Sequence, residues 1–323
     1  MLIHLLLLLA GILFLWFGSE LVVESAKKLA KKFNISHAVI GLTVISIGTS
    51  LPEIFTNIMS GIKSSQGIEA SGIAIGTNIG SCVTQITLIL GIVALIGTLH
   101  ANKKTIYRDG GMVLLAIVLM FLFGLNGRIS QAEGLILITG YLIYLFFVSH
   151  DDKVIQHISA EIHHMNHKEI NTIHNMIFIT VGIALLILGS EFVVNNALYI
   201  AHVFGLAQSF IGVMIIGVGT GLPELSTAIK GILKKAEGIS LGTLIGSNIT
   251  DPMFSLGIGA LITGFSVEKN LLYFDIPYKF FATVIALSLL YINMKIGKED
   301  KKEGIILITL YLIFVAVKII FFM

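Results

Sequence analysis

The sequence predicts an all-α integral membrane protein with ten transmembrane helices, laid out as two inverted five-helix repeats with helices 2, 3, 7 and 8 broken. Three observations predict it. The 323-residue chain is 55% hydrophobic and only 12% charged, where a soluble domain carries about 25% charged residues. Its mean hydropathy is +0.94. Ten apolar runs are long enough to cross a bilayer, and the two most polar of the interrupted motifs recur in the second half of the chain. The lipid bilayer is therefore the expected surrounding. A net charge of +2 gives no basic field that would call for nucleic acid. A lone cysteine, Cys82, rules out an internal disulfide.

A crossing helix needs about 20 apolar residues. The runs lie at 2–18, 37–62, 68–97, 111–126, 131–149, 174–191, 207–230, 237–264, 279–295 and 303–322. The first has no basic leader and no small-residue cleavage site, so it reads as a retained span. With the N-terminus outside, the inward loops carry sixteen lysines and arginines and the outward loops four, Lys63, Arg128, Lys269 and Lys279. That bias predicts both termini outside. The expected units are residues 1–149, a cytoplasmic linker 150–173, and residues 174–323. The stretch 150–175 holds six of the ten histidines. His163 and His167 could share a helix face, but a solvated connector is the expected role.

The duplication is gapless over its first part. "GSELVV" at Gly18–Val23 returns as "GSEFVV" at Gly189–Val194, and "IGLTVISIGTSLPEIFT" at Ile40–Thr56 returns as "IGVMIIGVGTGLPELST" at Ile211–Thr227, both 171 residues on. "IGTNIGSCVTQI" at Ile75–Ile86 matches "LGTLIGSNITDP" at Leu241–Pro252 at an offset of 166. Five spans per half, an odd number, turn the second half over in the membrane. Such inverted repeats mark secondary transporters, whose sites form near the midplane on discontinuous helices.

The interruptions carry the chemistry. Pro52 and Pro223 lack an N–H and break the helix ladder. The carbonyls they free must find a partner, which lipid does not supply and a bound cation does. Thr49 and Thr220 add hydroxyls, and Glu53 and Glu224 follow each proline directly. The second motif pair adds Ser81 and Gln85, and Ser247 and Asp251, each pair four residues apart on one helix face. An acid at membrane depth costs about 2.5–3.5 kcal/mol on insertion scales. A cation between facing carboxylates removes both that cost and their repulsion. Hard oxygen donors suit Ca²⁺, Mg²⁺, Mn²⁺ or Na⁺, and the irregular shell of two broken helices suits Ca²⁺ better than Mg²⁺. Glu53, Glu224 and Asp251 can be balanced by one divalent ion or a few monovalent ions, but not by both together. That competition is a physical basis for exchange.

"GTSLPE" with "GSCVTQ", and "GTGLPE" with "GSNITD", resemble the two α-repeats of the cation/Ca²⁺ exchanger superfamily, closest to its compact prokaryotic Na⁺/Ca²⁺ exchangers. The resemblance covers the whole chain. It implies ion-site positions at Thr49, Ser50, Glu53, Ser81 and Gln85, and at Thr220, Glu224, Ser247 and Asp251. The two glutamates would be the principal Ca²⁺ ligands, joined by backbone carbonyls near Ser46 and Gly217. It also implies that the first and sixth helices slide across the rest during alternating access. Two positions depart from the family pattern. Gly221 stands where the family usually has Ser, and Gln85 where it has Asn or Asp. Both bear on the Na⁺ sites and not on the glutamates.

The expected function is thus Ca²⁺ exchange for Na⁺ at the cell membrane, with H⁺ coupling as a close variant and a cation channel as a rival. No H-E-x-x-H motif is present in the sequence, and an intramembrane enzyme is not the expected function. No cofactor and no obligatory protein partner are expected. Among the remaining residues, Gly41, Gly80, Gly212 and Gly246 are expected to pack helices, and Asn78 and Asn248 to bond between them. Glu20 and Glu191 are expected to act structurally near helix ends, and Cys82 to pack.

Overall fold

The fold is taken from a computed structural model, which describes residues 1–33, 46–97, 101–149, 171–233, 237–296 and 301–322. The linker histidines His163 and His167, and Gly41, lie outside the described residues.

Helices dominate. In chain order they are α1 (Leu2–Lys32), α2 (Ser46–Thr49 and Leu51–Ser65), α3 (Ser71–Ile96), α4 (Thr105–Gly124) and α5 (Gln131–Ser149). There follow α6 (Thr172–Phe204), α7 (Gln208–Leu233), α8 (237–263), α9 (Leu271–Lys295) and α10 (Lys302–Phe322). Eight of them are long and apolar enough to cross a membrane. The other two are α2, whose described part is short, and α8, whose apolar run is diluted by Ser247, Asn248, Thr250 and Asp251. Two short strands, β1 (Arg128–Ile129) and β2 (Phe265–Ser266), pair antiparallel and tie the α4–α5 turn to the α8–α9 turn.

Most apolar runs of the sequence sit inside these helices, with three differences. The run 2–18 is only part of a 31-residue helix, and 174–191 part of a 33-residue one. Neither "GSELVV" nor "GSEFVV" carries a proline, so both helices run on through them. Lys27, Lys28, Lys31 and Lys32 thus belong to the end of α1 and not to a loop. α6 stops where Gly205 takes φ +65°, a left-handed cap that favours glycine. The third difference is a correction. The ninth span begins at Leu271, not at 279, and Lys279, read as an outward loop residue, is wholly buried inside it. Asp275 and Lys279, in the nine residues "LLYFDIPYK", were enough to mislead a hydropathy count.

Burial sorts the helices. In α3, 72% of the most apolar window is buried; in α10 only 17% is. α3 is therefore central and α10 peripheral, with Ile320 and Phe321 turned outward for lipid. One apolar cluster joins α3, α4, α8 and α9. Another joins α1 and α6 with the first turns of α3 and α7.

Close helix contacts use glycine, and they come in exchanged pairs. A side chain at Gly11 would meet the Gly189 carbonyl at 2.9 Å, and one at Gly18 would meet the Gly182 carbonyl at 2.8 Å. The 171-residue offset carries Gly11 onto Gly182 and Gly18 onto Gly189, so the second contact is the first with its partners swapped. Between α3 and α10, Gly91 meets Gly304; between α8 and α5, Gly257 meets Gly134. Small residues let backbones approach where no hydrophobic drive separates protein from lipid. Gly80 and Gly212 likewise sit against the facing backbone, at Val213 and at Ile73–Thr77, as packing glycines should.

Candidate functional site

Each break falls where proline dictates it. Ser50 (φ −82°, ψ 7°) parts the two pieces of α2, and Gly221 (φ −76°, ψ −1°) parts the equivalent pieces of α7. Glu53 and Glu224 thereby fall in the first turn of a new helix at the centre of the protein, both wholly buried. Opposite them, α3 and α8 change from α- to π-helix at Thr84–Ile89 and Asp251–Ser255. Pro252 accounts for the second of these, because it cannot donate to the Asn248 carbonyl. The extra residue per turn re-aims Gln85 and Asp251, and such bulges are frequent at functional sites.

The hydrogen bonds link the four interrupted helices. Ser81 Oγ donates to Glu53 Oε1 at 2.7 Å, and Ser247 Oγ donates to Glu224 Oε1 at 3.1 Å. These two bonds are again equivalents of each other. Gln85 Nε2 donates to Ser81 Oγ at 2.9 Å and to Asp251 Oδ2 at 3.3 Å. Thr49 Oγ1 and Ser247 Oγ lie 3.4 Å apart. Thr220 stands beside Glu53 and Ser50 beside Asp251. Glu224 is within electrostatic reach of Glu53 and Asp251, and Glu53 of Asp251.

Nine of the eleven residues named from the sequence are gathered here as side chains. Ser46 opens the first short piece of α2, and Gly217 opens the matching piece of α7. The Gly217 carbonyl takes the Gly221 N–H at 3.3 Å and faces the Thr220 hydroxyl at 3.4 Å. The Gly48 carbonyl, freed by Pro52, is already satisfied within the protein, because Ser19 Oγ of α1 donates to it at 2.9 Å. The equivalent Ser190 of α6 turns to Ile187 of its own helix instead.

All three carboxylates share one pattern. Each spends one oxygen on a protein hydrogen bond, and the other, Glu53 Oε2, Glu224 Oε2 or Asp251 Oδ1, is buried without a partner among the described residues. Three acceptor oxygens so placed fit a hard cation, since a buried acceptor left unmade costs roughly 1–3 kcal/mol, more when charged. No three His, Cys, Asp or Glu side chains among the described residues form a metal-holding group by themselves. A cation here would therefore draw on hydroxyl, amide and carbonyl oxygens as well. At Gly221 an added Cβ would meet nothing closer than the Gly217 carbonyl at 3.4 Å; the missing hydroxyl is a matter of sequence and not of space.

Some participants were not foreseen. Asn57 Nδ2 bridges the Glu53 carbonyl (2.7 Å) and Ser255 Oγ (3.0 Å), and it follows Glu53 by four residues, a spacing that could have flagged it. Asn248 Nδ2 reaches across to Gln85 Oε1 at 2.9 Å, as an interhelical asparagine should. Asn78 does not; it donates to Ala74 within its own helix. Cys82 is buried with its Sγ 3.8 Å from Asp251 Oδ2. Glu20, expected near a helix end, lies well inside α1, as Glu191 lies inside α6, because both helices run on past the apolar runs; Glu20 forms an exposed ion pair with Lys230 at 3.4 Å.

Comparison with known proteins identifies the family. The chain matches the family model described as sodium/calcium exchanger protein over residues 3–150 and 174–320. It is 31% identical to the uncharacterized membrane protein MJ0091 of Methanocaldococcus jannaschii, covering 95% of both chains. It is 30% identical to the sodium/calcium exchanger MaX1 of Methanosarcina acetivorans, covering 98% of both. Among solved structures it resembles the sodium-calcium exchanger NCX_Mj with a TM-score of 0.61 and 29% identity, over 98% of each chain. This multi-pass membrane protein belongs to the sodium/calcium exchanger family, whose members are transporters and not enzymes.

Proposed function

We propose that this protein exchanges Ca²⁺ for Na⁺ across the cell membrane by alternating access, at a midplane site made by α2, α3, α7 and α8. The observation that carries the reading is the set of three buried carboxylates, each with one oxygen fixed and one free. Ca²⁺ would take the free oxygens of Glu53 and Glu224, with Asp251, the hydroxyls of Thr49, Ser50, Ser81, Thr220 and Ser247, the Gln85 amide and the carbonyls near Ser46 and Gly217 completing the shells of Ca²⁺ and Na⁺. The relatives' names, sodium/calcium exchanger in two cases, support these cargoes.

Two inverted five-helix repeats, 1–149 and 174–323 around a cytoplasmic linker, are supported by the exchanged contacts: Gly11–Gly189 with Gly18–Gly182, and Ser81–Glu53 with Ser247–Glu224. α1 and α6, packed along each other, are suited to move as one body across the two breaks. The Ser19–Gly48 bond, which α6 lacks, would be one of the contacts exchanged when they do.

Proteoliposomes loaded with Na⁺ should take up Ca²⁺ only while the outward Na⁺ gradient lasts. Glu53→Gln and Glu224→Gln should each abolish that uptake while the protein still reconstitutes normally. Uptake driven by a pH gradient alone would favour H⁺ as the counter-ion, and uptake with no counter-ion would favour a channel. Retained Ca²⁺ transport in either glutamine variant would overturn the site.

A further inference from the structure

The ion site has a second polar level on one side. Glu53, Ser81 and Asp251 are each followed, four positions along their own helix, by another polar residue: Asn57 on α2, Thr77 on α3 and Ser255 on α8. All three are wholly buried. All three lie toward the same end of the molecule, because α2 runs into the turn near 66–70, α3 starts from it, and α8 runs into the turn near 264–270. Ser81 meets Glu53 at 2.7 Å, so one turn along these antiparallel helices brings Thr77 opposite Asn57. Asn57 Nδ2 donates to Ser255 Oγ at 3.0 Å. One turn further, α2 and α8 close the level off: a side chain at Gly61 would meet the Gly259 carbonyl at 2.8 Å.

What this level offers is oxygen. Asn57 Nδ2 also donates to the Glu53 carbonyl, which can only accept, so the amide cannot be turned round. Its Oδ1 is left buried without a partner among the described residues. Thr77 Oγ1 is unpartnered as well, although Thr56, Thr87, Thr250 and Thr283 each donate to the carbonyl four residues back. Ser60 Oγ on α2 and Asn78 Oδ1 on α3 are in the same condition. Buried polar atoms are nearly always bonded, so a cluster of exceptions points to a ligand.

The internal repeat shows that packing does not require these oxygens. At the offsets of 171 and 166 residues, the matching level on the other side of the acids is Ala228, Thr243 and Ile89. Ala228 and Ile89 are buried alkyl groups, and Leu244 stands where the first half has Asn78. The exposed oxygens of the first level are thus reduced there to one hydroxyl, that of Thr243. None of the oxygens at the polar level belongs to a carboxylate. Divalent ions are held according to the number of charged ligands, whereas neutral oxygens alone can replace the water of a monovalent ion.

We propose that Asn57, Thr77 and Ser255 frame a resting site for one monovalent cation, one helical turn from the acids on the side assigned to the outside, with no equal on the inner side. This rests on the exchange reading proposed above, under which the occupant is Na⁺ on its way to or from the acids.

The test is anomalous diffraction from crystals soaked in Tl⁺, a heavy monovalent cation, without Ca²⁺. A peak should stand in contact with Asn57 Oδ1 and Thr77 Oγ1, and an excess of Na⁺ should lower it several-fold. Thr77→Val, which keeps the shape and removes the oxygen, should weaken the same peak several-fold. A parallel soak in Sr²⁺, a substitute for Ca²⁺, should label the acids and not the outer level. Wild-type crystals with no Tl⁺ at the outer level, with Tl⁺ that Na⁺ does not displace, or with Sr²⁺ there would each overturn the inference, whether or not the valine variant folds. An undiminished Tl⁺ peak in Thr77→Val would overturn it too. Sr²⁺ missing from the acids would instead refute the ion site of the exchange reading, whatever Tl⁺ does.

Discussion

Ser81 and Ser247 show how single side chains position the acids. Each hydroxyl holds one carboxylate oxygen and so turns the other toward the centre. A second buried pair, Asp275 with Lys318, does different work: it joins the start of α9 to the end of α10, far along the chain. Breaking a buried pair leaves one charge uncompensated, which costs about 3–5 kcal/mol. Asp275→Asn should therefore lower the thermal midpoint of the detergent-purified protein clearly, and adding Lys318→Met to it should restore much of the loss. Equal melting of the single and double variants would mean that the pair does not stabilise this contact.

At the scale of elements, local irregularity follows from local sequence. Proline parts α2 and α7 one residue before the repeated Leu-Pro-Glu begins, and proline again underlies the π-segment of α8. α1 and α6 are uninterrupted and instead pack through glycine on glycine. Gly189→Leu would force a branched side chain against the Gly11 carbonyl, an overpacking worth about 1–3 kcal/mol. The expected result is an exchanger that still inserts but transports several-fold more slowly, read as Ca²⁺ uptake at equal protein in the vesicles. Unchanged uptake would show that α1 and α6 need not keep this spacing.

At the scale of the whole molecule, the turns gather at two ends. Gln208 donates to the Glu69 carbonyl, Ser209 to Glu268, and β1 pairs with β2, so the turns near 66–70, 125–130, 205–208 and 264–270 share one end. These are the turns that the lysine and arginine bias assigns to the outside. Cysteines placed singly at the exposed Asn126 and Asn102 should accordingly react with a membrane-impermeant maleimide from opposite faces, Asn126→Cys from outside the cell. The native Cys82 is buried and should stay silent. Labelling of both from one side would refute the proposed topology.

Much of this was legible in the sequence because a bilayer leaves few choices. Apolar length, proline breaks and a repeated acid are written locally, and they led to the helices and to Glu53, Glu224 and Asp251. Lys279 was misread as a loop residue, and Ser19 and Asn57 were passed over. Their roles depend on which distant backbone or charge they face, and hydropathy carries no such information. The sequence by itself determined that this is a membrane protein with repeated, interrupted helices and acids at their breaks, since solvent and backbone chemistry act residue by residue. Only the tertiary structure decided which oxygen of each acid is spent and which is free, since that depends on helices brought together from opposite halves of the chain.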